Sequence, residues 1–228
     1  MNCESFSWSV ELPDATTNPY AAFRNKARVH LESGGTRETW DIPKPVGRRL
    51  EKLRKTSGID PMTRSELAQK VKEVSLLSGT SKVEWLVNKR DYSSKELLEK
   101  LLQDGYSQEV SEELVSRAEN NGLVNDDRFA EVYIRSKSFA GWGRRKIERE
   151  LARKGIDCNQ LPGWPEHYIS ESDEAERALE LARRRRLTGK NDFQKIVRHL
   201  LSKGYSMSIA YDAAKTALDS ASDGGWSV

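Results

Sequence analysis

Cysteine and histidine are scarce in this 228-residue chain, and their positions exclude the usual metal sites. The two cysteines, Cys3 and Cys158, lack neighbours at the spacing of zinc ligands. His30, His167 and His199 are scattered and form no HExxH pattern. We therefore expect no metal, no cofactor and no disulfide, because two isolated thiols stay reduced in a reducing compartment.

Long apolar runs are also missing, and no segment approaches the length that crosses a bilayer. Acidic residues interrupt the first eleven positions, where a signal peptide would need a continuous apolar stretch. The chain has no phosphate-binding loop with its lysine and hydroxyl, and no nucleophile paired with a base. We expect a monomeric cytoplasmic protein that is neither membrane-bound nor an enzyme.

Charge is segregated along the chain, although the net charge is only +3. Residues 84–131 hold 6 Lys and Arg against 12 Asp and Glu. Residues 135–154 hold 8 against 2, and residues 183–203 hold 8 against 1. Charges of one sign gathered on one face produce a field that scattered charges cannot, so this pattern favours a partner with a polyanionic or mixed-charge groove.

The strongest positive signal is a repeated helix ending. Helical apolar spacing runs three times into a glycine and then an apolar or aromatic residue, at Gly105-Tyr106, Gly155-Ile156 and Gly204-Tyr205. A period of about 50 residues indicates stacked units, each too small to bury its own apolar face. Glycine at such a stop favours a left-handed turn, after which the next residue packs back on the helix.

These patterns predict an all-α fold of tandem three-helix repeats, with a poorly ordered N-terminal extension. The extension covers residues 1–80, and the repeats cover 82–124, 125–170 and 171–220. The predicted helices are 64–77, ended by Gly79, then 82–90, 94–103, 108–121, one opening at 125–127, 144–154, one opening near 172, 192–203 and 206–219. Within the extension, residues 21–31 are read as a strand or a helix and residues 48–55 as a short basic helix. The segment from Pro162 to Pro165 is expected to spoil the third helix of the second repeat.

Residues 125–156 carry a resemblance to a known family. The chain reads Asn-Asp-Asp-Arg-Phe-Ala from 125, then Tyr-Ile-Arg-Ser from 133, Gly-Trp-Gly from 141 and Glu-Leu-Ala-Arg-Lys-Gly-Ile from 150. These separated motifs, in this order, resemble the RecX family of bacterial recombination regulators, and the flanking repeats extend the likeness over residues 82–219. The resemblance implies that the three repeats form an elongated curved array. It also implies a protein that binds the groove of the RecA filament on DNA and modulates recombinase, co-protease and ATPase activity, and so homologous recombination, DNA repair and the SOS response.

Basic residues of the second and third repeats are the candidate partner-binding or DNA-binding residues. On the helix 144–154, Arg145, Arg149 and Arg153 share one face, while Ile147 and Leu151 occupy another. The quartet 183–186 is expected to wind around a helix, so that two or three of its members reach one surface. The full candidate set is Arg135, Lys137, Arg144, Arg145, Arg149, Arg153, Arg183, Arg184, Arg186, Arg198 and Lys203.

Other interpretations of the same residues remain open. Asp126 and Asp127 look like a catalytic pair, but their position at a helix start favours capping. The Gly141-Trp142-Gly143 turn is either a phosphate nest or a plain inter-helix turn with its tryptophan in the core. The rival function is a direct DNA-binding helix-turn-helix protein, although Arg and Lys suit phosphates or carboxylates better than base edges. Bare DNA binding is expected to be weak and nonspecific.

Overall fold

The computed structural model describes residues 6–13, 26–57 and 60–223. The chain divides into two compact units, Met1–Val124 and Asn125–Val228. The first unit contains the strands β1 (Ser7–Glu11), β2 (Lys26–Ser33) and β3 (Thr36–Pro43) and the helices α1 (Lys44–Ser57), α2 (Arg64–Val87), α3 (Ser94–Gln103) and α4 (Gln108–Asn120). The second contains α5 (Asp126–Phe139), α6 (Arg144–Arg153), a short 3-10 helix (Cys158–Gln160), α7 (Glu171–Arg183), α8 (Asp192–Lys203) and α9 (Met207–Asp223).

The N-terminal strands form an antiparallel sheet in the order β1-β2-β3. Ala27, Val29 and Leu31 alternate on β2 and are all buried, because α1 packs against that face of the sheet. The helical fold is confirmed for the rest of the described chain, but the poorly ordered extension contains this sheet, which was not predicted. Of the two alternatives for residues 21–31, the strand is present from residue 26 onward, and residues 21–25 lie outside the described part. The expected basic helix at 48–55 is confirmed inside α1.

Helix α2 runs without interruption through Gly79, which was expected to end it. Gly79 is buried in the helix, and a Cβ atom at this position would collide with the side chain of Leu114 on α4. The glycine thus allows two helices to approach closely and does not act as a stop. Helix α2 consequently crosses the expected boundary between the N-terminal extension and the first repeat.

The three repeated glycine endings have one shared geometry. Gly105, Gly155 and Gly204 have φ angles of 96°, 86° and 95°, all in the left-handed region. The amide of the following residue then donates to a carbonyl five positions back, as in Tyr106 N to Leu101 O at 3.2 Å and Ile156 N to Leu151 O at 3.0 Å. The residues after the glycines are buried, as the repeat pattern predicted.

Helix starts follow the predicted capping residues. The hydroxyls of Thr63 and Ser93 accept hydrogen bonds from the amides of Glu66 and Glu96. Helices α3 and α8 have the predicted bounds, and α4, α5, α6, α7 and α9 agree to within one to four residues. Helix α9 runs to Asp223, and residues 224–228 lie outside the described part.

The second unit has two apolar cores. One lies between α5, α6 and the turns that follow, and the other lies between α7, α8 and α9. After the 3-10 helix, residues 161–168 form turns instead of a third α-helix, as the prolines predicted. Among the described residues, no helix is long and apolar enough to cross a membrane.

Candidate binding surface on the second and third repeats

The outer face of α6 carries the arginines that the helical spacing predicted. Ile147 and Leu151 are fully buried, whereas Arg145, Arg149 and Arg153 are exposed. Arg153 pairs with Glu150 at 2.7 Å. Within the part of the chain that the structure describes, Arg145 and Arg149 have no carboxylate partner, and Arg149 Nε reaches only the Arg145 carbonyl at 3.3 Å. Two guanidinium groups on this face are therefore available to an external anion.

The start of α6 is fixed by the end of α8. Gly143 N donates to Lys203 O at 2.9 Å, and Arg145 N donates to Gly204 O at 3.2 Å. A Cβ atom on Gly143 would lie 2.6 Å from the Gly204 carbonyl oxygen, so the two backbones are in direct contact. The amides at the start of α6, which lack partners within their own helix, thus donate to the carbonyls at the end of α8, which also lack partners within theirs.

A buried carboxylate completes this junction. Glu174 on α7 is only 5% exposed, and its Oε1 accepts a hydrogen bond from Arg144 N at 2.7 Å. A carboxylate at a helix start also interacts favourably with the positive end of the helix. The amides of residues 143–145 are therefore all occupied. The alternative of a phosphate nest at Gly141-Trp142-Gly143 is excluded, and the sequence is an inter-helix turn.

Lysine ammonium groups and aromatic rings alternate across α5 and α6. Lys137 Nζ lies 5.2 Å from the Tyr133 ring centre and 5.1 Å from that of Trp142. Lys146 Nζ lies 4.0 Å from the centre of the same Trp142 ring. Lys154 Nζ lies 5.4 Å from the Tyr133 ring. We call these five residues the aromatic-lysine row, and each contact places a cation over a ring face.

Of this row, the sequence pattern predicted only Lys137 as a candidate. The usable signal was the helical spacing of Phe129, Tyr133 and Lys137, which places two aromatic rings and one cation on the same face of α5. Phe129 and Tyr133 stack with ring centres 5.9 Å apart. Lys146 and Lys154 join them only because α6 packs beside α5, so their position depends on the tertiary fold.

The other candidates on α5 and α6 are already neutralised. Arg135 is exposed and pairs with Glu131 at 2.7 Å. Arg144 lies 3.6 Å from Glu148. Asp126 and Asp127 lie in the first turn of α5, where Asn125 is the capping residue, as the interpretation of a helix start predicted.

The arginine quartet does not wind around a helix. Helix α7 ends at Arg183, Arg184 is its C-terminal cap, and Arg185 and Arg186 lie in the loop that follows. Asp192 organises this loop, because its carboxylate accepts hydrogen bonds from Thr188 N at 2.9 Å and Gly189 N at 2.6 Å. All four arginines are exposed, so the loop presents them without a common helical face.

Arg198 and Lys203 on α8 do not share a face, because five positions separate them. Lys203 lies at the junction with α6, through the hydrogen bond from Gly143 N to its carbonyl, whereas Arg198 is exposed. Burial, together with Arg185 and Lys203, lowers the pKa of His199. The imidazole is therefore neutral at pH 7, and the positive charge around it comes from arginine and lysine alone.

Cys158 lies near this surface and is a buried free cysteine. Burial, aided by Glu148 and Asp157, raises the pKa of the Cys158 thiol to about 11, so this thiol is not a ready nucleophile at neutral pH. Within residues 6–13, 26–57 and 60–223 there is no group of three His, Cys, Asp or Glu residues that could hold a metal ion. Cys3 lies outside the described residues.

Known proteins with similar sequences share this part of the chain. Residues 125–159, which span α5, α6 and the 3-10 helix, match a family profile described as RecX, second three-helix domain. A regulatory protein RecX from Amycolatopsis mediterranei is 33% identical over 135 residues, which are 57% of this chain and 77% of that protein. Its counterpart from Mycolicibacterium smegmatis is 33% identical over 169 residues, 70% of this chain and 84% of that protein.

The chain belongs to the RecX family. The family that the motifs at 125–156 predicted is thus confirmed. Its relatives are named as regulatory proteins, so the chain is a RecX-type regulator.

Solved RecX structures have the same fold. A crystal structure titled regulatory protein RecX aligns with a TM-score of 0.57 and 18% identity, covering 92% of this chain and all of that one. RecX from Lactobacillus salivarius aligns with a TM-score of 0.54 and 23% identity, covering 63% of this chain and 96% of that one. The first alignment extends beyond the three repeats into residues 1–81, since the three repeats alone make up less than two thirds of the chain.

We predict that Gly143→Ala destabilises the second unit by about 2–3 kcal/mol, because the added methyl group meets the backbone of residues 204–205 and no side chain can rotate away. The measurement is chemical unfolding followed by circular dichroism, combined with hydrogen exchange of the α6 and α8 amides.

Gly122→Ala is the matched control. Gly122 has a φ of 67°, but nothing lies within 4 Å of its added methyl group. Its cost is therefore only the left-handed backbone, about 1–2 kcal/mol. If Gly143→Ala cost less than about 1 kcal/mol, below the usual cost of overpacking, the two backbones would not be in the close contact described.

Proposed function

We propose that this RecX-type regulator binds the RecA filament on DNA and lowers its recombinase and ATPase activity, acting as a binding protein without a catalytic reaction of its own. The observation that carries the proposal is the exposed face of α6, within the matched family domain, where Arg145 and Arg149 lack carboxylate partners.

The chemistry of this face suits a surface that offers carboxylates or phosphates. Arginine binds both groups through two parallel hydrogen bonds, and a planar guanidinium loses less hydration on binding than an ammonium group. The aromatic-lysine row beside it adds ammonium groups held over ring faces. A filament of protein on DNA presents both kinds of anion in one groove.

The occupied start of α6 also favours contacts from its side chains to anionic groups over recognition of DNA bases. The amides at the start of α6 are occupied by Lys203 O, Gly204 O and Glu174, so this helix start cannot hold a DNA phosphate in the way of many DNA-binding helices. The exposed groups on α6 are arginines, which contact phosphates at any sequence. This supports a protein filament as the main partner and weak DNA binding as a secondary property.

The decisive experiment measures RecA ATPase on single-stranded DNA while this protein is added. We expect inhibition at or below one molecule per RecA subunit, with no ATP hydrolysis by this protein alone. Unchanged RecA activity at large excess would refute the proposed function.

We predict that the double variant Arg145→Ala/Arg149→Ala weakens filament binding about tenfold or more while its melting temperature is unchanged. Each charged hydrogen bond that the variant cannot make is worth about 1.5–3 kcal/mol, and 1.4 kcal/mol is tenfold in affinity. The measurement is the inhibitor concentration that halves RecA ATPase, in parallel with thermal unfolding.

A second double variant, Lys52→Ala/Arg117→Ala, removes the same charge from exposed positions of α1 and α4 and is expected to inhibit like the wild type. Equal loss of inhibition in both variants would mean that net charge, and not the α6 face, determines binding.

We predict that bare DNA binding is weak and falls steeply with salt, because it depends on counterion release by arginines. Replacing Arg183, Arg184 and Arg186 with alanine is expected to reduce the slope of log affinity against log salt by about 0.7–0.9 for each phosphate that the protein no longer neutralises. Replacing Glu112 and Glu113 on α4 is expected to leave that slope unchanged. Tight, sequence-specific binding that persists at high salt would favour the helix-turn-helix alternative.

A further inference from the structure

Strand β3 is an edge strand whose outer side is open. The sheet order β1-β2-β3 leaves two edges, and an unpaired edge offers a row of free amides and carbonyls to another strand. A two-residue turn, Gly34-Gly35, joins β2 to β3 with both φ angles positive. In such a hairpin the pair next to the turn, here Ser33 and Thr36, is hydrogen-bonded. Hydrogen-bonded and non-hydrogen-bonded pairs then alternate along the two strands, so every second residue of β3 directs its backbone groups away from β2. The backbone groups of Arg37, Thr39 and Asp41 therefore point outward.

The two edges of the sheet differ in whether their outward backbone groups have hydrogen-bond partners. On β1, the guanidinium of Arg54 donates to the outward Trp8 carbonyl at 3.0 Å and lies over the Trp8 ring. The Trp8 indole in turn donates to Asp60 at 2.7 Å. On β3, the outward backbone groups of Arg37, Thr39 and Asp41 have no backbone or side-chain partner within the described ranges of the chain. Among the described residues, Arg54 of α1 thus binds a backbone group of one edge, whereas the outward backbone groups of the other edge stay unpaired.

We propose that the open edge of β3 pairs with β3 of a second copy of this chain, antiparallel and centred on Thr39. In this register Thr39 faces Thr39 of the second copy, and each Arg37 faces Asp41 of the other copy. The outward amides and carbonyls of all three residues are then paired. Opposite charges and Thr-Thr pairs directly across an antiparallel ladder are both stabilising. The strand is therefore complementary to itself, as a two-fold symmetric interface requires.

Shifting the register removes this complementarity. One step in one direction places Glu38 directly opposite Glu38 of the second copy, where like charges repel. One step in the other direction pairs Arg37 with Pro43, which has no amide to donate. Only the register centred on Thr39 combines complete backbone pairing with opposite charges.

The surroundings of β3 have room for the added strand. Arg37 pairs with Glu32 at 3.4 Å, and Asp41 pairs with Arg28 at 3.7 Å. The side chains of Arg37 and Asp41 are nevertheless 82% and 51% exposed, so both can also reach a partner. A cavity of about 600 Å³ extends from residues 40–43 of β3 to α2 and the start of α4. Its apolar lining includes Trp40, Ile42 and Val71. The second copy's Glu38 and Trp40 would lie on this side of the sheet, next to Arg64, which lines the cavity and binds Glu38 and the Trp40 ring of its own chain.

The sequence predicted a monomer, but it did not predict the sheet, so pairing through β3 could not be considered. The inference is also independent of RecA, so its test can fail without affecting the proposed function. Molecular mass measured by sedimentation velocity is expected to rise from about 26 kDa toward twice that value with increasing protein concentration. A wild-type chain that stays at the lower mass up to millimolar concentration would overturn the proposal.

Charge reversal tests the register. Arg37→Asp alone places two carboxylates opposite each other, and Asp41→Arg alone places two guanidiniums opposite each other, so each variant is expected to remain monomeric. Mixed in equal amounts, the two variants are complementary at both pairs and are expected to form a heterodimer. The double variant Arg37→Asp/Asp41→Arg restores both pairs and is expected to dimerise by itself.

Two controls make matching charge changes away from β3: Lys52→Asp on α1 and Glu112→Arg on α4. Both are expected to dimerise like the wild type, and circular dichroism establishes that every variant is folded. Dimers of the single β3 variants equal to those of the wild type would overturn the proposal. A mixture of the two that remains monomeric would overturn it as well.

Discussion

The second unit depends on a backbone contact between Gly143 and Gly204. The last carbonyls of α8 have no amide partner within their own helix, and the first amides of α6 have no carbonyl partner within theirs. The carbonyls at the end of α8 therefore accept hydrogen bonds from the amides at the start of α6. Each helix end thus satisfies the other, and Glu174 supplies the remaining acceptor. Only two glycines permit this approach, since a side chain on either one would overlap with backbone. The junction sets where α6, and so its arginine face, lies relative to the third repeat.

This junction also determines what kind of binding the surface can perform. Helix starts commonly hold anions through free amides, but those of α6 are already bound. Positive charge therefore acts through side chains. Glu148 and Glu150 neutralise Arg144 and Arg153, whereas Arg145 and Arg149 face solvent alone. The available charge is thus a small part of a strongly basic segment, and it lies opposite the buried residues of the same helix.

The N-terminal unit is held together by close packing of its helices and its sheet. Gly79 allows α2 to approach α4, and α1 covers the apolar face of the sheet. The alternation of Ala27, Val29 and Leu31 was a usable strand signal. It left a strand as one of two interpretations of residues 21–31, and the sheet became evident only from Gly34-Gly35, which forms the tight turn of a hairpin.

The sequence by itself determined the helices, their caps, the glycine endings and the family, because each depends on residues within a few positions of one another or on a fixed repeat. Helical spacing likewise placed Arg145 and Arg149 opposite Ile147 and Leu151. Only the tertiary structure decided the role of Gly79, the end of α7 at Arg183 and the position of Lys146 and Lys154 in the aromatic-lysine row. It also decided which arginines have carboxylate partners and which strand edge stays open. These features arise where elements distant in sequence pack together, and a local pattern carries no information about such contacts.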